Sequence, residues 1–318
     1  MSRLFVYRKD GVREEPIGAF AEVAPSVDFL WLHLDGTSDD VAAILARVTA
    51  MPDPAITAFR AQETRPRCAQ FSDGALVNLR GLGAQPDDDG DSLVSIRIWV
   101  QRGLAVTLSY RPLGVFDRLV EHMLAGQMAD PGDLVAATAM EITDALDPHV
   151  AELGDGLDEV ECRVLEAGKG GSRHKVAELR SDAINYRRFL APQRQAMERL
   201  MTAQVGWLEP DDRLHLQEAA DRCARMVEEL EAVRERAALV HEALTDLRAE
   251  HMNRQALILA IVALVFLPLT FVTGLLGMNV AGIPFSQESW AFWGVSLFCL
   301  AVGGGMAFWF KATHWLQK

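Results

Sequence analysis

Residues Ala256–Leu276 read ALILAIVALVFLPLTFVTGLL, twenty-one residues in a row without a charged side chain. A helix rises 1.5 Å per residue, so this run is about 30 Å long and matches the hydrocarbon thickness of a bilayer. A second uncharged run extends from Trp290 to Phe310, and tryptophans lie near both of its ends. Tryptophan is typical of the membrane interface, which argues against a buried hairpin of a soluble protein. The two runs therefore predict two membrane-spanning helices.

The first run continues a helix that begins far upstream. Pro210 and the acids around it suit a helix N-terminus, and neither proline nor glycine occurs from Asp211 to Leu267. Apolar or small residues recur there in steps of three and four, the spacing of a heptad seam. The seam consists of Leu216, Ala219, Cys223, Met226, Leu230, Val233, Ala237, Val240, Leu244 and Leu247. The pattern predicts one helix from Asp211 to about Leu276, whose seam packs against helices of the same chain or of another.

The chain before this helix has two parts. In the first, the β-rich runs RLFVYR, VDFLWLHLD, ALVNLRGLG and LVSIRIWVQRGLAVTLSY alternate with turns and with the helix-like SDDVAAILARV, where Ser38 is a predicted cap. In the second, helices are predicted over Asp133–Glu166 and Arg173–Val205. We therefore predict an α/β domain (1–130), a long helical stalk domain (131–254), a first transmembrane helix (255–277), an outer loop (278–289), a second transmembrane helix (290–311) and a tail (312–318).

Charge and motifs exclude several classes of function. Residues 1–250 carry 28 basic and 43 acidic side chains, so this part should repel nucleic acid. The four cysteines are far apart, which fits a reducing compartment and neither a disulfide framework nor a zinc finger. The N-terminus has no apolar stretch of signal-peptide length. No P-loop, H-E-x-x-H, G-x-S-x-G or dinucleotide motif occurs, so we do not expect an enzyme.

The membrane orientation follows from the basic residues. The stretch between the two runs, Gly277–Ser289, has no lysine or arginine, whereas Arg248, Arg254, Lys311 and Lys318 lie at the opposite ends. Basic residues favour the cytoplasmic side. Both termini are therefore expected in the cytoplasm, with the short loop outside.

One face of the first run carries small and polar residues at three- and four-residue steps. The stripe consists of Asn253, Ala256, Ala260, Ala263, Leu267, Thr270 and Gly274. A hairpin has no interior, so an aqueous path would need several copies of the chain with this face inward. The same stripe is also the pattern of a tight helix contact without a pore. The opposite side, with Leu257, Leu264, Phe266 and Phe271, is expected to face lipid or the second run.

The end of the first run carries a family likeness. Pro268-Leu269-Thr270-Phe271, then Gly274, then Gly277-Met278-Asn279 resembles the CorA superfamily of divalent-cation transporters. The likeness extends over essentially the whole chain and includes YRRFLAPQR (Tyr186–Arg194). The sequences NVAGIP after the motif and WLHLDG near the N-terminus are similar to the ZntB branch, which is associated with zinc. The magnesium branch usually has an acidic outer loop, whereas Glu288 is the one charged residue here.

The resemblance implies a fold, an activity and a set of residues. The implied assembly is a funnel-shaped homopentamer in the bacterial inner membrane, in contact with lipid, with the first span lining a central pore. Gly277, Met278 and Asn279 would form the ion filter, and Leu267 a hydrophobic constriction. The transported ion would be Zn²⁺, with Mg²⁺, Co²⁺, Ni²⁺ and Cd²⁺ as further cations, no cofactor, and proton linkage as an option. The alternatives are a magnesium or cobalt channel of the same family and a membrane-anchored coiled-coil scaffold or sensor.

Zinc prefers cysteine, histidine and carboxylate ligands to amides. Among residues of this chemistry, we treat His251, Cys223 and Glu288 as candidate ligands. Pairs such as His215 with Cys223 lack the i, i+4 spacing of a site on one helix. His251 also continues the heptad seam, which favours a packing or pH-responsive position.

Overall fold

The computed structural model describes residues 2–23, 27–47, 51–61, 65–85, 93–167, 173–279, 282–283 and 287–312. The chain forms two compact units, Met1–Glu242 and Ala243–Lys318. The first unit holds the sheet together with residues 131–242 of the predicted stalk domain, and residues 243–254 fall in the second unit. The predicted tail lies, apart from Ala312, outside the described residues.

A seven-stranded sheet forms the centre of the first unit. Its strands are β1 (Arg3–Arg8), β2 (Gly11–Glu15), β3 (Phe29–Asp35), β4 (Arg67–Phe71), β5 (Gly74–Leu82), β6 (Leu93–Gln101) and β7 (Leu104–Ser109). The order across the sheet is β2-β1-β3-β7-β6-β5-β4. The pair β3–β7 is parallel, with Asp35 opposite Ser109, and the other neighbours are antiparallel. The α/β character predicted for this region is confirmed.

The helices differ greatly in length. Four short ones are α1 (Phe20–Val23), α2 (Val41–Arg47), α3 (Asp53–Arg60) and α4 (Phe116–Leu124), and a 3₁₀ turn covers Ile17–Ala19. Four long ones are α5 (Pro131–Ala167), α6 (Arg173–Met201), α7 (Pro210–Leu276) and α8 (Ala291–Ala312). The predicted end of α7 at Leu276 is confirmed. Two predicted details are wrong. The helix α6 ends at Met201 rather than Val205. The helix α2 begins at Val41, so the residue before its first turn is Asp40, whose backbone carbonyl accepts a hydrogen bond from the N–H of Ile44, and not Ser38.

Both faces of the sheet are covered. On one face, α2 and α3 pack apolar side chains such as Leu45 and Phe59 into a core with Leu32 and Trp99 of the strands. On the other face lies α5, and a Cβ at Gly81 of β5 would come within 2.9 Å of Ile142 on that helix. This covering explains why β3, β6 and β7 are almost continuously apolar.

The seam of α7 is buried within the same chain. Every seam residue from Leu216 to Val240 is buried. Arg222 and Arg236 of α7 form ion pairs with Asp144 and Asp158 of α5. Glu231 of α7 lies 3.3 Å from Arg187 of α6. The heptad pattern therefore describes packing of α7 against α5 and α6, and not a coiled coil between copies.

Candidate functional site

The apolar part of α7 contrasts with its seam. It is long and apolar enough to cross a membrane, and none of its residues from Ala256 to Leu276 is buried. The half-buried ones are Leu257, Ile261, Val265, Leu269 and Val272. They follow one another at steps of four and three, so they share the face of α7 that contacts α8. The apolar stretch of α8, Ala291–Met306, is shorter than the apolar part of α7.

The predicted stripe lies on a different face of α7. All seven of its members, from Asn253 to Gly274, are exposed in the single chain, and Leu267 is 74% exposed. At 3.6 residues per turn, the centre of the stripe is roughly 200° around the axis from the half-buried face. The second helix of this unit therefore leaves the small and polar side of α7 uncovered. Of the residues expected on the opposite side, Leu257 is half-buried, and Leu264, Phe266 and Phe271 are exposed.

The hydroxyl of Thr270 is oriented by its own helix. Its Oγ1 donates to the carbonyl oxygen of Phe266 at 2.8 Å. Because the only proton of the hydroxyl is used in this bond, the oxygen offers lone pairs to anything that approaches from the stripe side. Pro268 lies inside the same turn and has no N–H to donate to the carbonyl of Leu264.

The predicted filter follows the end of α7. The N–H of Gly277 donates to the carbonyl of Thr273 at 2.9 Å, and a Cβ at Gly277 would lie only 3.0 Å from that oxygen. Glycine therefore allows the chain to leave the helix tightly at this point. Met278 and Asn279 are both exposed and project beyond the last turn.

This arrangement has recognisable relatives. Residues 26–312 match the family model described as CorA-like Mg²⁺ transporter protein. The chain belongs to the CorA family. The resemblance predicted from the Gly-Met-Asn motif is thereby confirmed, and the family is one of transporters rather than enzymes.

Individual CorA-family members match over nearly the whole length. The zinc transport protein ZntB of Pectobacterium carotovorum is 32% identical over 302 residues, which cover 95% of this chain and 92% of the relative. The structure of the full-length CmaX protein has 30% identity and a TM-score of 0.79, covering 96% of this chain and 97% of that chain. The complete CorA magnesium transporter of Methanocaldococcus jannaschii shares the fold, with a TM-score of 0.81 at 17% identity, covering 98% of this chain and 97% of that chain.

The three candidate zinc ligands of this CorA-family chain lie in different surroundings. Cys223 is buried in the seam, with its sulfur 3.8 Å from Thr143 Oγ1. Burial raises the pKa of the Cys223 thiol to about 11, so it stays protonated and is a poor metal ligand. His251 is exposed on α7, and Glu288 is exposed in the predicted outer loop. Neither belongs to the one cluster of ligand-type side chains found among the described residues.

That cluster consists of Asp130, Asp133 and Asp212, whose carboxylate oxygens lie within 4.8 Å of one another. Asp130 accepts hydrogen bonds from the N–H groups of Gly132 and Asp133 at the start of α5. Asp212 accepts one from the N–H of Glu209 at the start of α7. The carboxylates thus cap two helix N-termini that meet. The sequence indicated the acids at the start of α7 but not that α5 begins beside them.

The WLHLDG motif is part of the sheet. Trp31 Nε1 donates to Thr107 Oγ1 at 2.9 Å, and His33 Nδ1 is 2.9 Å from the same oxygen. Since an indole N–H only donates, Thr107 Oγ1 accepts from Trp31, and the same hydroxyl forms a second hydrogen bond with His33 whose direction is set by the tautomer of the ring. Burial lowers the pKa of His33 to about 3, so this histidine is neutral and does not carry protons at physiological pH. The motif therefore stabilises the β3–β7 pair.

Proposed function

We propose that this CorA-family chain transports Zn²⁺ across the bacterial inner membrane through a central pore made by five copies of the chain. The observation that carries the proposal is the uncovered stripe of α7, which α8 leaves free and which leads to Gly277-Met278-Asn279. A single hairpin cannot enclose water, so the free face needs further copies around an axis. The zinc transport protein at 32% identity over 95% of the chain supports zinc as the cargo.

The topology of the proposed transporter has two spans per chain. The first is the apolar part of α7 and the second is α8, which contacts it along one face. The outer loop without lysine or arginine lies outside, and both termini lie in the cytoplasm. In this arrangement the exposed apolar side chains away from the stripe, such as Phe266 and Phe271, face lipid or a neighbouring copy.

The filter in this proposal is a ring of five Asn279 amides at the outer mouth, set at the tight helix end that Gly277 allows, beside Met278. Divalent cations hold their water tightly, and an amide oxygen can accept hydrogen bonds from that water without replacing it. A ring of carboxylates would bind the cation more strongly and slow its release. A neutral filter therefore suits a dication that keeps its bound water and has to be released quickly.

Below the filter, the lining alternates in chemistry. Thr270 presents an oxygen acceptor, because its proton is held by Phe266. Leu267 is the hydrophobic constriction, and the small side chains of Gly274, Ala263, Ala260 and Ala256 leave room for water around the ion. A narrow apolar ring closes a pore when water leaves it and opens it when the ring widens.

The inner and outer ends carry the remaining polar groups. Asn253 marks the inner end, two residues after His251. Glu288 is the charged residue of the outer loop. We propose His251 and Glu288 as transient contacts for zinc at the two ends. Cys223 is left out because burial keeps its thiol protonated.

Ion flux into liposomes tests the proposal. The full-length chain is reconstituted, a dye sensitive to the ion under test is enclosed, and equal gradients of Zn²⁺, Mg²⁺ and Co²⁺ are applied to separate samples, with protein-free liposomes as the control. We expect saturable zinc entry that is faster than magnesium entry, and a particle mass five times that of one chain. Adding a pH gradient shows whether zinc entry is linked to protons.

The outcomes separate the alternatives. Zinc entry no faster than in protein-free liposomes would contradict transport and favour a membrane-anchored scaffold. Magnesium or cobalt entry faster than zinc entry would keep the pore and reassign its cargo. A particle mass other than that of a pentamer would contradict the proposed assembly but not zinc transport.

A further inference from the structure

The contact between the two helices of the second unit is confined to one face of each. On α8 the half-buried residues are Ala291, Val295, Ser296, Cys299, Val302, Gly303 and Met306. On α7 they are the five residues from Leu257 to Val272 named above. Steps of four on α7 are the ridge that a second helix packs across. Within this unit, the face of α7 that is turned to α8 therefore depends on how this ridge fits α8.

The helix α8 contains three successive glycines, Gly303, Gly304 and Gly305, and they differ in their distance from α7. A Cβ at Gly303 would lie 3.7 Å from Leu269 Cδ1, at ordinary van der Waals distance. At Gly304 and Gly305 a Cβ would meet nothing within 4 Å. Gly303 is thus the glycine of this run that faces α7, and a side chain longer than a methyl group there must displace Leu269.

Leu269 is a sensitive place for such a displacement. It is flanked by Pro268, which removes one backbone hydrogen bond of the helix, and by Thr270, which belongs to the exposed stripe. Neighbouring residues point about 100° apart around a helix. A rotation of α7 that moved Leu269 away from α8 would therefore carry Thr270 off its present direction by the same angle.

We propose that Gly303 is a positioning residue, whose small size lets α8 seat against Leu269 and so fixes which face of α7 is turned to the pore. The inference rests on the proposed function, because the stripe matters only if it lines the path of the ion. Gly304 and Gly305 have no such role. The contact involves one pair of residues, so it can be tested by enlarging the side chain at Gly303 and shortening the side chain at Leu269.

The experiment compares initial rates of zinc entry for four variants of the full-length chain in liposomes. Gly303→Ala should stay within about twofold of the original chain, because its methyl group fits. Gly303→Leu should lower the rate about tenfold or more, since an overpacked helix contact must shift. The matched control Gly304→Leu should stay within about twofold. The double variant Gly303→Leu with Leu269→Ala should recover most of the rate, because the volume removed on α7 admits the volume added on α8.

A second readout follows the rotation without transport. The four natural cysteines are replaced, Thr270→Cys is introduced, and the rate of its reaction with a small thiol reagent is measured. We expect Gly303→Leu to change this rate and Gly304→Leu to leave it unchanged. Equal effects of the two leucine variants on either readout, or no recovery in the double variant, would overturn the inference. Absence of zinc entry in the original chain would instead overturn the proposed function, and the thiol readout would still decide the role of Gly303.

Discussion

Between Leu216 and Val240, α7 buries an apolar seam against helices of its own chain, whereas between Ala256 and Leu276 the same helix has no buried residue. In the first region α7 forms ion pairs with both helices, as Arg236 does with Glu161 of α5 at 2.6 Å and Glu231 does with Arg187 of α6 at 3.3 Å. In the second region, among the described residues, α8 provides the cover, along one face. Both regions are apolar on at least one side, so apolarity alone does not explain the difference.

The difference shows where each region finds its partners. The seam is complete within one chain, so it should contribute to folding stability regardless of assembly. The apolar part of α7 has faces that no described part of this chain covers, and we expect lipid or other copies to cover them. Substitutions in the seam should therefore change stability, and substitutions on the stripe should change transport.

The largest effect is expected at the end of the uncovered region. Asn279→Ala should reduce zinc entry into liposomes at least about a hundredfold, because it removes every amide of the proposed ring at once. The pentamer should persist, since the Asn279 side chain is exposed in the single chain. Gln287→Ala, which removes an exposed amide from the same loop, is the matched control and should transport normally. Normal zinc entry with Asn279→Ala would sink the filter assignment.

A pair of leucines compares the two regions directly. Leu230→Ala in the seam should lower the free energy of unfolding by about 2–5 kcal/mol, because it leaves a cavity in a closed core. Leu267→Ala should change it by less than about 0.5 kcal/mol, because its side chain is mostly exposed, and should raise zinc leakage by widening the constriction. Thermal unfolding of both variants in detergent, with flux measured in parallel, checks the contrast. Equal losses of stability would mean that the stripe is packed in the same way as the seam.

A pH effect is expected at the start of α7, just before the seam. Asp212 is 2% exposed, and burial, with Asp130 and Asp133 nearby, raises its pKa to about 7. The folded state therefore holds this proton more tightly than the unfolded state, so stability is lost as the pH rises from about 4 to 7, by at most about 1.4 kcal/mol per pH unit. Asp212→Asn should remove this loss, and the exposed neighbour Asp211→Asn should not. Midpoints of thermal unfolding at pH 5, 6, 7 and 8 check it; parallel curves for the two variants would contradict it.

The smallest effect concerns a single hydroxyl on the stripe. Thr270→Val keeps the shape but removes the oxygen acceptor, and we expect the zinc rate to fall roughly fivefold, the value of about one hydrogen bond. Thr273→Val is the control, because its hydroxyl also donates to the helix, to Leu269 at 2.9 Å, but lies off the stripe. A similar loss in both variants would mean that the hydroxyls act on the helix and not on the ion.

The sequence predicted α7 from Asp211 to Leu276 because the seam repeats and no breaker interrupts it. It did not predict β2 and β4, since GVREE and RCAQF are mostly polar edge strands without an alternating apolar face. The partner of the seam was also left open, because a heptad pattern is the same within a chain and between chains. Only the fold shows that α5 and α6 occupy it.

The candidate site, too, was predicted from the sequence only in part. Local spacing predicted that the stripe shares one face, and the structure adds that α8 leaves this face free. The role of Gly303 depends on a distance between two helices, which no spacing within one of them contains. The meeting of Asp130 and Asp133 with Asp212, about eighty residues further along the chain, depends on the fold in the same manner.

Because of Pro268, the resistance of the first span to bending varies along its length. A proline inside a helix removes one backbone hydrogen bond and crowds the carbonyl four residues earlier, so the helix bends there more readily than elsewhere. In this chain the compliant turn is 264–268, which contains Leu267. The resistance of α7 to bending is therefore lowest at the residue whose displacement would alter the narrowest part of the proposed path.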